Sequence, residues 1–143
     1  MAGRNYAIEY VDPRKHQSRI KEAVESRSQL LNRLDELEKQ YSEWLDAPIG
    51  VNLTNGCGET LDIGLGGEKW SLGYSQFEDG VPIEQLNAVG DETASGSTPF
   101  YFEQWTEMPN KWLIPRETAK EAIGKWYESG ELETQIDWTE ESY

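Results

Sequence analysis

The chain has 143 residues, 27 Asp and Glu against 13 Lys and Arg, and a formal net charge of -14. That length suits one domain with a real core, and an aromatic share of 11% with six tryptophans argues against disorder. The charge argues against direct nucleic-acid or anionic-membrane binding, no apolar run reaches the about 20 residues of a membrane span, and the single cysteine, Cys57, excludes an internal disulfide or a thiolate metal cluster.

"MAGRNYAIEY" lacks the apolar stretch of a signal peptide, so a cytoplasmic location is expected. Asn5–Val11 alternates weakly, as a short strand would. Asp12-Pro13 offers a cap and a first-turn proline, and from Arg14 to Leu45 no further Pro or Gly occurs. Ile20, Ala23, Val24, Leu30, Leu31, Leu34, Leu37, Tyr41, Trp44 and Leu45 recur at spacings of three and four. The pattern predicts one long amphipathic helix, with a dip in propensity at Glu25–Gln29. A heptad through this stretch places Arg27 and Glu38 in the seam, which is too impure for an isolated zipper. The helix is expected to lie across a sheet, with a helical hairpin or a dimer contact as the lesser reading.

After Pro48 the period changes to two. Ile49–Asn55, Thr60–Leu65 and Lys69–Ser75 alternate, separated by "NGCGE" and "GGE", and predict an antiparallel meander. Phe77–Ser97 is rich in Gly, Asp and Ser and is expected to be a long loop. Thr98–Trp105 and Asn110–Ile114 follow as two more strands. Pro115 then starts a helix with one apolar stripe, Ala119, Ala122, Ile123, Trp126 and Tyr127, ended by Gly130. Ile136 and Trp138 suggest an edge strand or a packed tail. The expected fold is therefore α+β: an antiparallel sheet of about five strands, with a long N-terminal helix and a C-terminal helix packed on it. The expected organisation is a single domain over 1–143, with 1–47 a helical segment and 48–143 the sheet and C-terminal helix.

Catalytic chemistry finds little support. His16, the only histidine, sits on the polar start of the expected first helix, far in sequence from Cys57, a turn residue. "GLGG" (Gly64–Gly67) lacks the Lys-Ser/Thr of a phosphate loop and precedes a strand, so a hairpin turn is expected. "DETASGS" lacks the ligand positions of a calcium loop, and adjacent acids such as Glu140-Glu141 are expected by chance in so acidic a chain. No catalytic residue, cofactor or metal is assigned.

The charge is unevenly spread. Residues 1–50 hold eight Lys/Arg and nine Asp/Glu, a net of -1, and residues 51–143 hold five and eighteen, a net of -13. The segment Phe77–Ser97 carries five carboxylates and no cation, and Glu103 and Glu107 follow. This points to a binding module for a basic macromolecule.

The C-terminal motifs sharpen that. Leu113, Ile114 and Pro115 lead into a helix with Ala119 and Ala122, then Trp126-Tyr127, Gly130-Glu131 and Trp138. With the meander ending in "EKWSLGY", this order over about Val51–Trp138 resembles the immunity proteins of bacterial polymorphic toxin systems, of the type usually paired with deaminase toxins. The expected first helix is longer than that resemblance implies. The resemblance implies a non-enzymatic inhibitor that binds a cognate toxin domain and covers its active site or substrate surface. Joined to the charge reading, it makes the partner a toxin with a basic surface. The candidate toxin-binding residues are Glu78, Asp79, Asp91, Glu92, Glu103, Trp105 and Glu107, with Trp105 an anchor if exposed and otherwise part of the core. Two alternatives stand beside it: an adaptor that self-associates through the N-terminal helix, and a hydrolase or metal enzyme using the surplus carboxylates.

Overall fold

The computed structural model describes residues 5–12, 18–42 and 47–141. In chain order the elements are β1 (Ala7–Asp12), β2 (Ser18–Ala23), α1 (Arg27–Ser42), β3 (Gly50–Thr54), β4 (Glu59–Gly64), β5 (Lys69–Glu78), β6 (Val81–Val89), β7 (Ser97–Tyr101), β8 (Trp105–Pro109), β9 (Leu113–Pro115), α2 (Arg116–Ser129) and β10 (Asp137–Thr139). One sheet holds eight strands, ordered β10-β6-β5-β4-β3-β1-β2, with β9 paired to the start of β5. Its pairings are antiparallel. β7 and β8 form a separate hairpin, joined to the rest by a bridge between Tyr101 and Ile49.

This corrects the expected five-stranded sheet with one long N-terminal helix. The first half of that helix is strand β2, paired with β1 along its length, Ile20 opposite Tyr10 and Glu22 opposite Ile8. Helical spacing of Ile20, Ala23 and Val24 is too short a signal to outweigh cross-strand pairing, because propensity is a weak prior against tertiary contacts. Among the described residues of that stretch only Arg27–Ser42 is helical, and its apolar stripe Leu30, Leu34, Leu37 and Tyr41 is buried within the chain. Among the described residues, these four positions of the apolar face that suggested self-association are thus already covered. His16, Trp44 and Leu45 lie outside the described residues.

The second correction concerns Phe77–Ser97, expected to be a loop. β5 continues through Glu78, turns at Asp79-Gly80 and returns as β6. Both turn residues have positive φ, 53° and 79°, the backbone of a tight hairpin turn that Asp-Gly favours. Only residues 90–96 connect β6 to β7.

Alternation then builds the core. Ile8 and Tyr10, Val51 and Leu53, Leu61 and Ile63, Trp70, Leu72 and Tyr74, and Leu86 and Ala88 face one side of the sheet. They pack against the α1 stripe and against Ala119, Ala122, Ile123 and Trp126 of α2. Each fully buried Leu or Ile contributes about 1.5–3 kcal/mol relative to exposure, so this layer carries the fold. α2 ends as expected at Gly130, in the left-handed conformation at φ 76°, its N–H bonded to the Trp126 carbonyl at 2.8 Å. Trp138 lies in edge strand β10, donating to the Glu133 carbonyl at 3.0 Å.

Candidate functional site

The sheet face turned away from the helices is polar. One transverse row crosses it, because antiparallel register places Lys21 opposite Glu9, Glu9 opposite Asn52, Asn52 opposite Asp62, Asp62 opposite Gly73, Gly73 opposite Asn87 and Asn87 opposite Thr139. Each of these alternates with a core residue on its own strand, so all seven share the open face. The row has a gap at Gly73, where a side chain is missing between Asp62 and Asn87.

The β7–β8 hairpin covers part of this face. Phe100 and Phe102 lie flat on it, held by glycines: a Cβ at Gly64 would collide with the Phe100 ring, and one at Gly50 with the Phe102 ring. Phe100, Met108, Trp112 and Leu113 form a second, smaller apolar cluster under the hairpin. Between hairpin and sheet remains a cavity of about 330 Å³, lined by Arg19, Asn52, Asp62, Ser71, Gly73, Asn87, Glu103 and Thr106, among others. A second hollow of about 300 Å³ shares Asp62, Gly73 and Asn87 and runs on to Glu140 and Glu141. The two form one groove with the gap at Gly73 in its floor.

The groove's charges are asymmetric. Arg19 is tied to Glu9 at 3.1 Å and to Glu103, and reaches Asn52 Oδ1 at 3.5 Å. Asn52 in turn donates to Asp62 Oδ1 at 2.5 Å. Among the described residues no Lys or Arg lies within ion-pair distance of Asp62. Burial raises its pKa from 3.8 to about 6, opposed by the Asn52 hydrogen bond. Ser71, 2% exposed, has a hydroxyl with no hydrogen-bond partner among the described residues.

The residues expected to bind fall in three places. Glu78 and Asp79 are exposed at the tip of the β5–β6 hairpin, beside exposed Phe77, Val81 and Ile83. Asp91 and Glu92 sit in the link after β6, where Asp91 Oδ1 accepts from Thr93 N at 3.0 Å and Oγ1 at 2.6 Å, which lowers its pKa. Glu103, Trp105 and Glu107 share the β7–β8 hairpin. Trp105 is 56% exposed, which removes it from the core, and its Nε1 donates to Glu107 Oε2 at 2.6 Å. Glu107 also accepts from Ser97 Oγ at 2.7 Å, and both bonds lower its pKa. Glu103 faces the groove through Arg19.

The family model described as Immunity protein Imm1 matches residues 18–140. The chain belongs to the Imm1 immunity protein family. Membership gives toxin neutralisation as the class of function, with a cognate toxin as partner. A comparison with curated proteins finds no match. The Imm1 match reaches further toward the N-terminus than the motifs from Val51 onward, and takes in β2 and α1. No helix among the described residues is long and apolar enough to cross a membrane.

Sequence reasoning missed the groove in this immunity protein. Its signal was present: Asn and Asp are depleted in strands, yet Asn52 and Asp62 stand at mid-strand polar positions. Their mutual register was the part that spacing alone did not supply.

Proposed function

We propose that this Imm1 protein binds a nucleic-acid-targeting deaminase toxin domain in the cytoplasm as a single unit and occludes its basic substrate surface. The observation that carries this is the coincidence of family and charge: an immunity family match over residues 18–140, in a chain whose residues 51–143 carry eighteen carboxylates against five cations. A deaminase acting on a polyanion needs a basic approach surface, and an acidic inhibitor competes for the same field. Trp105 is the anchor we assign, since an exposed indole flanked by Glu103 and Glu107 pairs apolar area with charge that steers association. Glu78, Asp79, Asp91 and Glu92 extend the acidic surface around it.

Coexpression tests the reading. The toxin encoded beside this chain is expected to arrest growth alone and to be silenced when this protein is present. Purified toxin is expected to deaminate a nucleic-acid substrate and to stop when the chain is added at equimolar amount. Growth arrest that persists despite coexpression would end the proposal. A toxin silenced by the chain but lacking deaminase activity would retain the inhibitor and reject the assigned chemistry.

A further inference from the structure

Around Gly73 the groove presents acceptors. Asp62 Oδ1 is engaged by Asn52, and among the described residues none donates to Asp62 Oδ2. Asn87 donates through Nδ2 to the Glu141 carbonyl at 3.2 Å, and its Oδ1 lies beside Gly73; a Cβ built on Gly73 would lie 3.1 Å from that oxygen and 3.7 Å from the Cβ of Asp62. Ser71 adds a buried hydroxyl, without a partner among the described residues, on the same face. The donor groups nearest the gap are held by other partners: Asn52 Nδ2 bonds Asp62, and the Arg19 guanidinium reaches Glu9, Glu103 and Asn52. Two carboxamide or carboxylate oxygens and a hydroxyl around an empty glycine are complementary to a donor-rich cation.

We propose that the space above Gly73 is a receptor for one arginine side chain of the toxin, its guanidinium seated between Asp62, Asn87 and Ser71. This rests on the inhibitor reading and specifies where on the chain a basic partner enters. The guanidinium is planar and carries five donors with no acceptor, so it matches the acceptors around the gap. Other charged groups around the gap are Arg19 of β2, Glu103 of the hairpin, and Glu140 and Glu141 after β10, with Glu9 held by Arg19 and Lys111 3.6 Å from Glu141. Arg19 is neutralised by its two carboxylates and Glu141 is paired with Lys111, so the sum, with Asp62 and Glu140, favours a cation.

The test uses the intact chain and N-acetyl-arginine amide, with the citrulline analogue as its neutral counterpart, followed through the side-chain amide signals of Asn52 and Asn87 by NMR. Arginine amide is expected to shift both signals saturably, and citrulline amide to leave them in place. Asp62→Asn is expected to weaken binding about tenfold, the loss of a charge-assisted hydrogen bond. Gly73→Ala keeps the charge but narrows the space, and is expected to weaken it too. Binding should also fall between about pH 7.5 and about pH 5, as Asp62 takes up a proton. Shifts absent at saturating concentrations, or equal in the Asp62→Asn chain, would overturn the assignment. Failed growth rescue with intact arginine binding rejects the toxin reading alone, and rescue without arginine binding rejects this receptor alone.

Discussion

Asp62 is ionised at neutral pH at a cost to the fold. Its pKa is raised by burial from 3.8 to about 6, so the folded chain holds that proton more tightly than the unfolded chain does. The folded state is therefore penalised above about pH 6, and the penalty disappears as pH falls toward the ordinary carboxylate value. Asp62→Asn is expected to stabilise the protein by about 1–2 kcal/mol near pH 7.5, discounted for solvent in the groove, and by nothing near pH 3.5. Urea unfolding at the two pH values checks this, and an Asn variant no more stable at the higher pH sinks it. A side chain kept against stability is what a binding site looks like, since function is commonly maintained at such a cost.

Glu38 shows the opposite balance. Its Oε2 accepts from Trp70 Nε1 at 2.6 Å and from Gly67 N at 2.8 Å, and its Oε1 from Arg116 Nε at 3.0 Å. Arg116 also stacks over the Trp70 ring at 5.5 Å. In a heptad reading Glu38 looks like a defect in an apolar seam; in the fold it ties α1 to β5, the turn before it and α2. Glu38→Ala orphans the nitrogen of a fully buried indole and is expected to cost about 3 kcal/mol. A loss below about 1 kcal/mol in urea unfolding would show that water replaces the carboxylate freely.

Between helices and strands, the legible parts were those whose stop signals and periodicity agreed. Pro115, the stripe from Ala119 to Trp126 and Gly130 gave α2 within a residue of its observed Arg116–Ser129. β3, β4 and β5 were legible from alternation between glycine-rich turns. β2 was not, because "SRIKEA" holds a single large apolar residue, Ile20, and strand identity there comes from β1. Its Glu22 is held by Arg33 of α1 at 2.7 Å and 2.9 Å, a contact that no local pattern encodes. β6 was missed for another reason. Its residues Val81–Gln85 are exposed, so alternation against a core is absent, and the Asp79-Gly80 turn was the only available signal. Of the groove, the polar positions were visible in sequence but their alignment across seven strands was not. Gly130 supplies a direct check on the legible part. Its φ of 76° strains any residue with a Cβ, so Gly130→Ala is expected to cost about 1 kcal/mol, read as a lowered urea midpoint at unchanged slope.

Charge acts over the entire chain and belongs to neither kind of contact. The net of -14 is carried almost wholly by residues 51–143, which build the sheet from β3 onward, the β7–β8 hairpin and α2. Many N-terminal cations are internally spent: Arg19 on Glu9 and Glu103, Arg27 on Glu121 and Glu128, Arg33 on Glu22 and Glu36. The field that an approaching partner meets is therefore the carboxylate excess, which the proposed basic toxin would be drawn to. Steering by such a field raises the association rate and decays with screening, whose length falls from about 30 Å at 0.01 M to about 8 Å at 0.15 M ionic strength. Contacts made after docking, including an indole in a pocket, act mainly on dissociation. The on-rate for the toxin is thus expected to drop by at least about tenfold across that salt range, while Trp105→Ala leaves the on-rate within about twofold and accelerates dissociation. Stopped-flow association and surface-plasmon dissociation separate the two. A salt-independent on-rate would mean that the acidic surface faces away from the partner, and a Trp105→Ala variant that dissociates like the parent would move the anchor off the β7–β8 hairpin.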